Sequence, residues 1–148
     1  MNINIKLKKK HALIVIPCFN EGHKLPHLFR ELNQNKKKYF DYLIVDDNSD
    51  DGSNALIRSN GFNYLKNDKR MGIGYSIKRG LRYALDNDYS CLVVLAANGK
   101  MDPRELPNFT LPIINGDYDY IHGSRFLKKN TKISTPNFRK ISIKILNY

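Results

Sequence analysis

Two clusters in this 148-residue chain combine residue types and spacing suited to chemistry. The first is Asp46-Asp47-Asn48-Ser49-Asp50-Asp51-Gly52, directly after the apolar run Tyr42-Leu43-Ile44-Val45. Carboxylates at a strand end can accept hydrogen bonds from a nucleobase N–H or from ribose hydroxyls. A plain acidic turn that caps the next helix is the alternative. It accounts for Ser49 or Asp50 as the cap but poorly for two adjacent acids at the strand end. The second cluster is Asn98-Gly99-Lys100, just past the apolar run Cys91-Leu92-Val93-Val94-Leu95. Lysine binds phosphate as a point charge, and an asparagine amide can donate to an oxyanion. His23 and His27 stand four apart, a metal-capable spacing, but no third ligand accompanies them. They read as surface histidines. Gly72 and Gly74 are too few for a dinucleotide fingerprint and read as a turn entering a helix.

The elements that must position these clusters alternate along the chain. Ala12 to Pro17 is a continuous apolar run, as in a strand buried on both faces. Lys24 to Asn35 is helical, with Leu25, Leu28, Phe29 and Leu32 on one face. A helix is expected over residues 50–60, stopped by Gly61, then a strand over 62–66. Gly74 to Asp86 is helical, with Ile77, Leu81 and Leu85 predicted to face inward. Asp102-Pro103-Arg104-Glu105 carries a helix-start signature: N-cap, proline in the first turn, and a glutamate to close a capping box. Tyr118 to His122 is expected as a fifth short strand. The rhythm predicts an α/β domain with a mostly parallel sheet and helices on both faces, with ligands at the carboxyl ends of the strands.

Composition narrows the class. An apolar fraction of 41% suits a folded globular domain, and no apolar run approaches the roughly 20 residues of a membrane span. The stretch Lys6 to Phe19 has a basic then apolar order but no small-residue cleavage site, so it reads as a first strand rather than a signal peptide. Cys18 and Cys91 both sit in or beside apolar runs, which suggests buried thiols in a reducing compartment. The net charge is +11, and no acid follows Asp119, whereas seven Lys or Arg do. That field favours a phosphate-bearing or anionic-membrane partner; a solvated basic tail is the alternative. Helix-turn-helix, zinc and aromatic-platform signals are lacking, so nucleic acid is not the expected partner. Residues 137–147 form an amphipathic basic helix pattern that could lie on a membrane or pack on a further subdomain.

Val15-Ile16-Pro17-Cys18-Phe19-Asn20-Glu21 followed by Val45-Asp46-Asp47-Asn48-Ser49-Asp50-Asp51-Gly52 resembles the start of a family 2 glycosyltransferase with the GT-A fold. Arg70 to Gly80, Asp102-Pro103 and Gly123-Ser124-Arg125 extend the resemblance to about residues 11–140, and within the family the chain resembles polyprenyl-phosphate sugar transferases, the group that includes dolichyl-phosphate mannose synthase. The resemblance implies that Pro17, Phe19 and Glu21 line a nucleoside pocket and that Asp46 and Asp47 hold base and ribose. It implies that Arg125, and Arg139 unless that is an exposed helix residue, face a diphosphate or an acceptor phosphate. Arginine's planar fork of donors suits that task.

The sequence departs from the resemblance at one point. The family carries Asp-x-Asp after the fourth strand to hold Mg²⁺ or Mn²⁺, and this chain has Ala96-Ala97-Asn98. Asn98 and Lys100 are therefore expected to take the diphosphate without a metal cofactor.

The expectation is thus an inverting glycosyltransferase using a nucleoside-diphosphate sugar and a polyprenyl phosphate or glycan acceptor, with Lys100 and Arg125 catalytic. The alternative is a non-catalytic nucleotide-sugar binder, or a degenerate copy incomplete at its C-terminus. The expected organisation is a basic extension over 1–10, a nucleotide-sugar-binding domain over 11–127, and a basic acceptor-side or membrane-facing segment over 128–148. The expected location is the cytoplasm, with contact at the cytoplasmic face of a membrane.

Overall fold

The computed structural model describes residues 9–123. Four strands and four helices alternate: β1 (Lys9–Cys18), α1 (Leu25–Gln34), β2 (Phe40–Asp46), α2 (Ser53–Ser59), β3 (Asn63–Lys66), α3 (Ile73–Asp86), β4 (Tyr89–Val94) and α4 (Leu106–Asn115). A single 3-10 turn, Pro103–Glu105, leads into α4. The strands form one parallel sheet in the order β3-β2-β1-β4, with Ile14 paired to both Tyr42 and Val93. β1 begins at Lys9, inside the segment expected as an extension.

β1 is central, and its two faces divide the core. Ala12, Ile14, Ile16 and Cys18 pack with Leu25, Leu28, Phe29 and Leu32 of α1, Ile57 of α2 and Leu106 of α4. Leu13 and Val15 pack with Leu43, Val45 and Ala84 of α3. Helices thus cover both faces, which is why β1 and β2 read as unbroken apolar runs. Every residue from Ala12 to Ile16 is at most 1% exposed.

Four local expectations are corrected. The face of α3 that meets the sheet carries Ser76, Gly80 and Ala84, while Leu81 and Leu85 are 47% and 64% exposed. A Cβ on Gly80 would lie 2.4 Å from a Val15 methyl, so the helix crosses too close for a larger side chain. Close approach selected the small residues over the apolar stripe. Second, the N-cap of α2 is Gly52 rather than Ser49 or Asp50, and Asp51 just before it accepts from the Ser53 N–H through Oδ1 at 3.0 Å. Third, Asp102 does cap the turn before α4 by accepting from the Arg104 N–H, but Glu105 accepts from the Asn108 side chain instead of closing a capping box. Fourth, Tyr118 to His122 forms no strand, and Tyr118 and Tyr120 are exposed. The segment pairs with no strand among the described residues.

Candidate active site

The strand order reverses between β1 and β4: the chain moves outward from β1 to β3, then returns to the other side of β1. In open α/β sheets that point leaves a crevice beyond the carboxyl ends of the two strands. Here it holds an open cavity of about 170 Å³. Pro17, Phe19 and Glu21 border it from the β1 exit, Asp47 from the β2 exit, Ile73 and Ser76 from α3, and Ala96, Ala97 and Asn98 from the β4 exit. The volume is below the roughly 300–1,000 Å³ of a typical small-molecule pocket, so the cavity cradles part of a ligand rather than enclosing one.

Hydrogen bonds between the first two loops hold the β1 side. Asn20 and Asp50 pair in both directions, Nδ2 to carboxylate at 2.8 Å and Asp50 N–H to Oδ1 at 3.1 Å. The Gly22 N–H donates to Asp51 at 2.8 Å, and the Glu21 N–H donates to the Ser53 hydroxyl at 3.2 Å. Asn20 and Asn48 both adopt positive φ, 51° and 62°, which asparagine tolerates better than most residues. Donors from Ser53 and Gly22 offset the burial of Asp51 and hold its carboxyl below the ordinary range.

Asp46 and Asp47 are adjacent yet point to opposite faces of the sheet. Asp46 is 0% exposed and accepts from the Ser49 N–H and hydroxyl and from the Asn54 amide, on the α2 side. It does not border the cavity, and its oxygens are committed within the chain. Asp47 faces α3. Its Oδ1 accepts from Asn67 Nδ2 at 2.6 Å and the Met71 N–H at 2.8 Å, and its Oδ2 accepts from the Gly72 N–H at 2.7 Å. Burial alone would raise its carboxyl, but these donors and the Arg70 charge more than offset that and hold it below the usual range. The successive N–H groups of Met71 and Gly72 converge on this one carboxylate, and Gly72, with φ of 89°, then turns the chain into α3 in a conformation that favours glycine.

Asn67, only 2% exposed, joins β3 to α3. Its amide also donates to the Ser76 hydroxyl at 3.2 Å, and its carbonyl accepts from Arg79 at 2.7 Å. Arg70 lies over the Phe19 ring, 4.3 Å from the centroid, and places a cation and an aromatic face at the cavity rim. Cys18 also borders the cavity, but burial and the Asp46 charge push its thiol up to about 12, so it is no nucleophile near neutrality.

On the β4 side the loop turns at Gly99, with φ of 69°. The Lys100 N–H donates to Asn98 Oδ1 at 3.1 Å, and Lys100 itself is exposed. Asp102 is clamped by its neighbour: both of its oxygens accept from the Arg104 guanidinium. These bonds hold its carboxyl below the ordinary range despite partial burial.

The structure therefore brings Pro17, Phe19, Glu21, Asp47 and Asn98 to one cavity, with Lys100 on the adjoining loop and Asp46 behind the wall. Arg125 and Arg139 lie outside the described residues, as does the segment 128–148. Sequence reasoning missed Ile73, Ser76, Asn67 and the Arg70–Phe19 contact. A signal was present: an acid at a strand end needs donors, and Gly72 just ahead of a helix could supply them.

Among the described residues, the side chains at the cavity do not assemble a donor set that fits a hard divalent cation. Ala96 and Ala97 have no ligand atom, Glu21 is paired with Lys24, and Asp47 and Asp102 are committed as above. Among the described residues no group of three His, Cys, Asp or Glu is arranged to hold a metal.

The family model for glycosyl transferase family 2 matches residues 13–144. The chain belongs to glycosyl transferase family 2. It is 27% identical over 144 residues to polyprenol monophosphomannose synthase of Mycolicibacterium smegmatis, across 93% of this chain and 54% of that protein. It is 28% identical over 135 residues to undecaprenyl-phosphate mannosyltransferase of Micrococcus luteus, across 88% of this chain and 54% of that protein. The family 2 chain thus spans about half the length of these curated relatives. In fold it is similar to mannosyl-3-phosphoglycerate synthase from Rubrobacter xylanophilus, with a TM-score of 0.56 and 18% identity over 70% of this chain and 36% of that one. The sheet with helices on both faces is accordingly of the GT-A type. Among the described residues of this family 2 chain, no helix is long and apolar enough to cross a membrane.

Proposed function

We propose that this chain forms the donor-binding part of a glycosyltransferase that moves a sugar from a nucleoside-diphosphate sugar to a polyprenyl phosphate or a glycan. The observation that carries this reading is the cavity at the strand reversal, bordered jointly by Pro17, Phe19, Glu21, Asp47 and Asn98. Two relatives named for polyprenol or undecaprenyl phosphate chemistry support the acceptor class. Base and ribose sit against Phe19 and the Asp47 loop, and the diphosphate lies toward the β4 exit. An acceptor oxygen forms the new bond at the anomeric carbon as the bond to the diphosphate breaks. The nucleoside diphosphate leaves with that electron pair, and a single displacement inverts the anomeric centre. A phosphate acceptor is already an oxyanion at neutral pH and needs no general base. The seven Lys and Arg after Asp119 favour an anionic partner or contact with an anionic membrane surface at the cytoplasmic face, with Arg125 and Arg139 available to phosphate.

Calorimetry of the folded chain with UDP and with GDP tests the binding half, and sugar transfer from labelled donors to undecaprenyl phosphate tests the chemistry. Binding of one nucleoside diphosphate with inverted product supports the proposal. A folded chain that binds neither nucleotide refutes it, and binding without transfer identifies a non-catalytic nucleotide-sugar binder.

A further inference from the structure

The carboxylates at and near the cavity share one property: each is already engaged from within the chain. Asp47 accepts from Met71, Gly72 and Asn67, and Asp46 from Ser49 and Asn54. Asp51 accepts from Gly22 and Ser53, Glu21 pairs with Lys24, and Asp102 is held by Arg104. Recruiting any of them to a cation would break charge-assisted bonds that organise the loops. The β4 loop offers the opposite polarity. A backbone N–H can only donate, so the bond from the Lys100 N–H fixes which end of the Asn98 amide is oxygen. With one lone pair of that oxygen engaged, the amide still presents its pair of N–H donors, which suit an anion. Lys100 follows across the Gly99 turn and adds an exposed ammonium.

We infer that this site binds the diphosphate of its donor through the Asn98 amide and the Lys100 ammonium, without a divalent cation. The inference rests on the nucleotide-sugar reading above and assigns the partner of the diphosphate within it. A lysine places one positive charge where a metal with two carboxylates would sum to zero. The leaving diphosphate is therefore still met by a net cation.

The test is calorimetry of the full chain with UDP, GDP and the matching nucleosides, in EDTA and in Mn²⁺. The expected result is nucleoside diphosphate affinity unchanged within about twofold by EDTA, with Lys100→Met weakening it by about tenfold or more. Nucleoside affinity should not move in Lys100→Met, which separates a lost phosphate contact from a damaged pocket. The triple variant Ala96→Asp, Asn98→Asp, Lys100→Met should bind only when Mn²⁺ is supplied. Wild-type affinity that collapses in EDTA overturns the inference and leaves the nucleotide reading intact. Lys100→Met binding as tightly as wild type in EDTA overturns the assignment of Lys100. Failure to bind either nucleotide under both conditions overturns the nucleotide reading and the inference with it.

Discussion

Gly80→Ala is the sharpest test of how α3 is seated. The new Cβ would lie 2.4 and 2.7 Å from the two methyls of Val15 and 3.1 Å from its Cβ. Both methyls obstruct, so no single rotation of Val15 clears the contact, and a β-branched side chain has few alternative rotamers. Val15 is 0% exposed in the central strand, held by β2 and β4, and cannot retreat. The helix must move instead. Overpacking of a tight core costs about 1–3 kcal/mol, and a contact on two methyls belongs at the upper end. Alanine returns about 1 kcal/mol of helix propensity relative to glycine. The net expectation is a loss of about 2 kcal/mol, read as a lower midpoint in urea unfolding followed by circular dichroism. Adding Val15→Ala should make the double variant more stable than the sum of the two single changes, because the obstructing methyls are gone. Leu85→Ala, at a residue 64% exposed, should cost no more than about 0.5 kcal/mol. If Gly80→Ala is neutral or stabilising while Leu85→Ala is costly, the apolar stripe faces the sheet and the seating of α3 described above is wrong.

Two further outcomes follow from the carboxylates. Asp47→Asn places an amide N–H₂ against one of three converging donors and removes the charge, so stability should fall by about 3 kcal/mol, with amide exchange at Met71 and Gly72 accelerating most; unchanged protection at those two N–H groups would contradict the assigned hydrogen bonds. Asp47 and Asp51 have carboxyls held below the ordinary range in the folded state, so the unfolded chain takes up their protons first as pH falls. Their contribution is therefore complete well above the unfolded value of about 3.9 and is lost as pH falls through it toward the folded values. The chain should lose stability from about pH 5 downward, and Asp47→Asn should flatten that slope; a mutant slope equal to wild type would refute the linkage.

Much of the fold was legible because burial on both faces writes itself into composition. β1 and β2 had to be continuous apolar runs, and their polar exits had to gather at one end of a parallel sheet. Five of the expected ligand-binding residues border one cavity for that reason. The division of labour between Asp46 and Asp47 was not read from the sequence, which had both hold base and ribose, although successive side chains at a strand end point to opposite faces. Which of the two faced α3 needed the direction of the crossover, and the donors that engage it arrive from residues 67–72, far along the chain.

What the sequence determined by itself was local: where strands run and where they stop. These follow from side-chain chemistry and short-range periodicity. The tertiary structure alone decided three things. It set α3 on Ser76, Gly80 and Ala84 because proximity to Val15 outweighed hydrophobic patterning. It left Tyr118 to His122 outside the sheet among the described residues, because a strand exists only beside a partner. It also committed the acids to internal donors, since a carboxylate's availability depends on what the folded backbone aims at it.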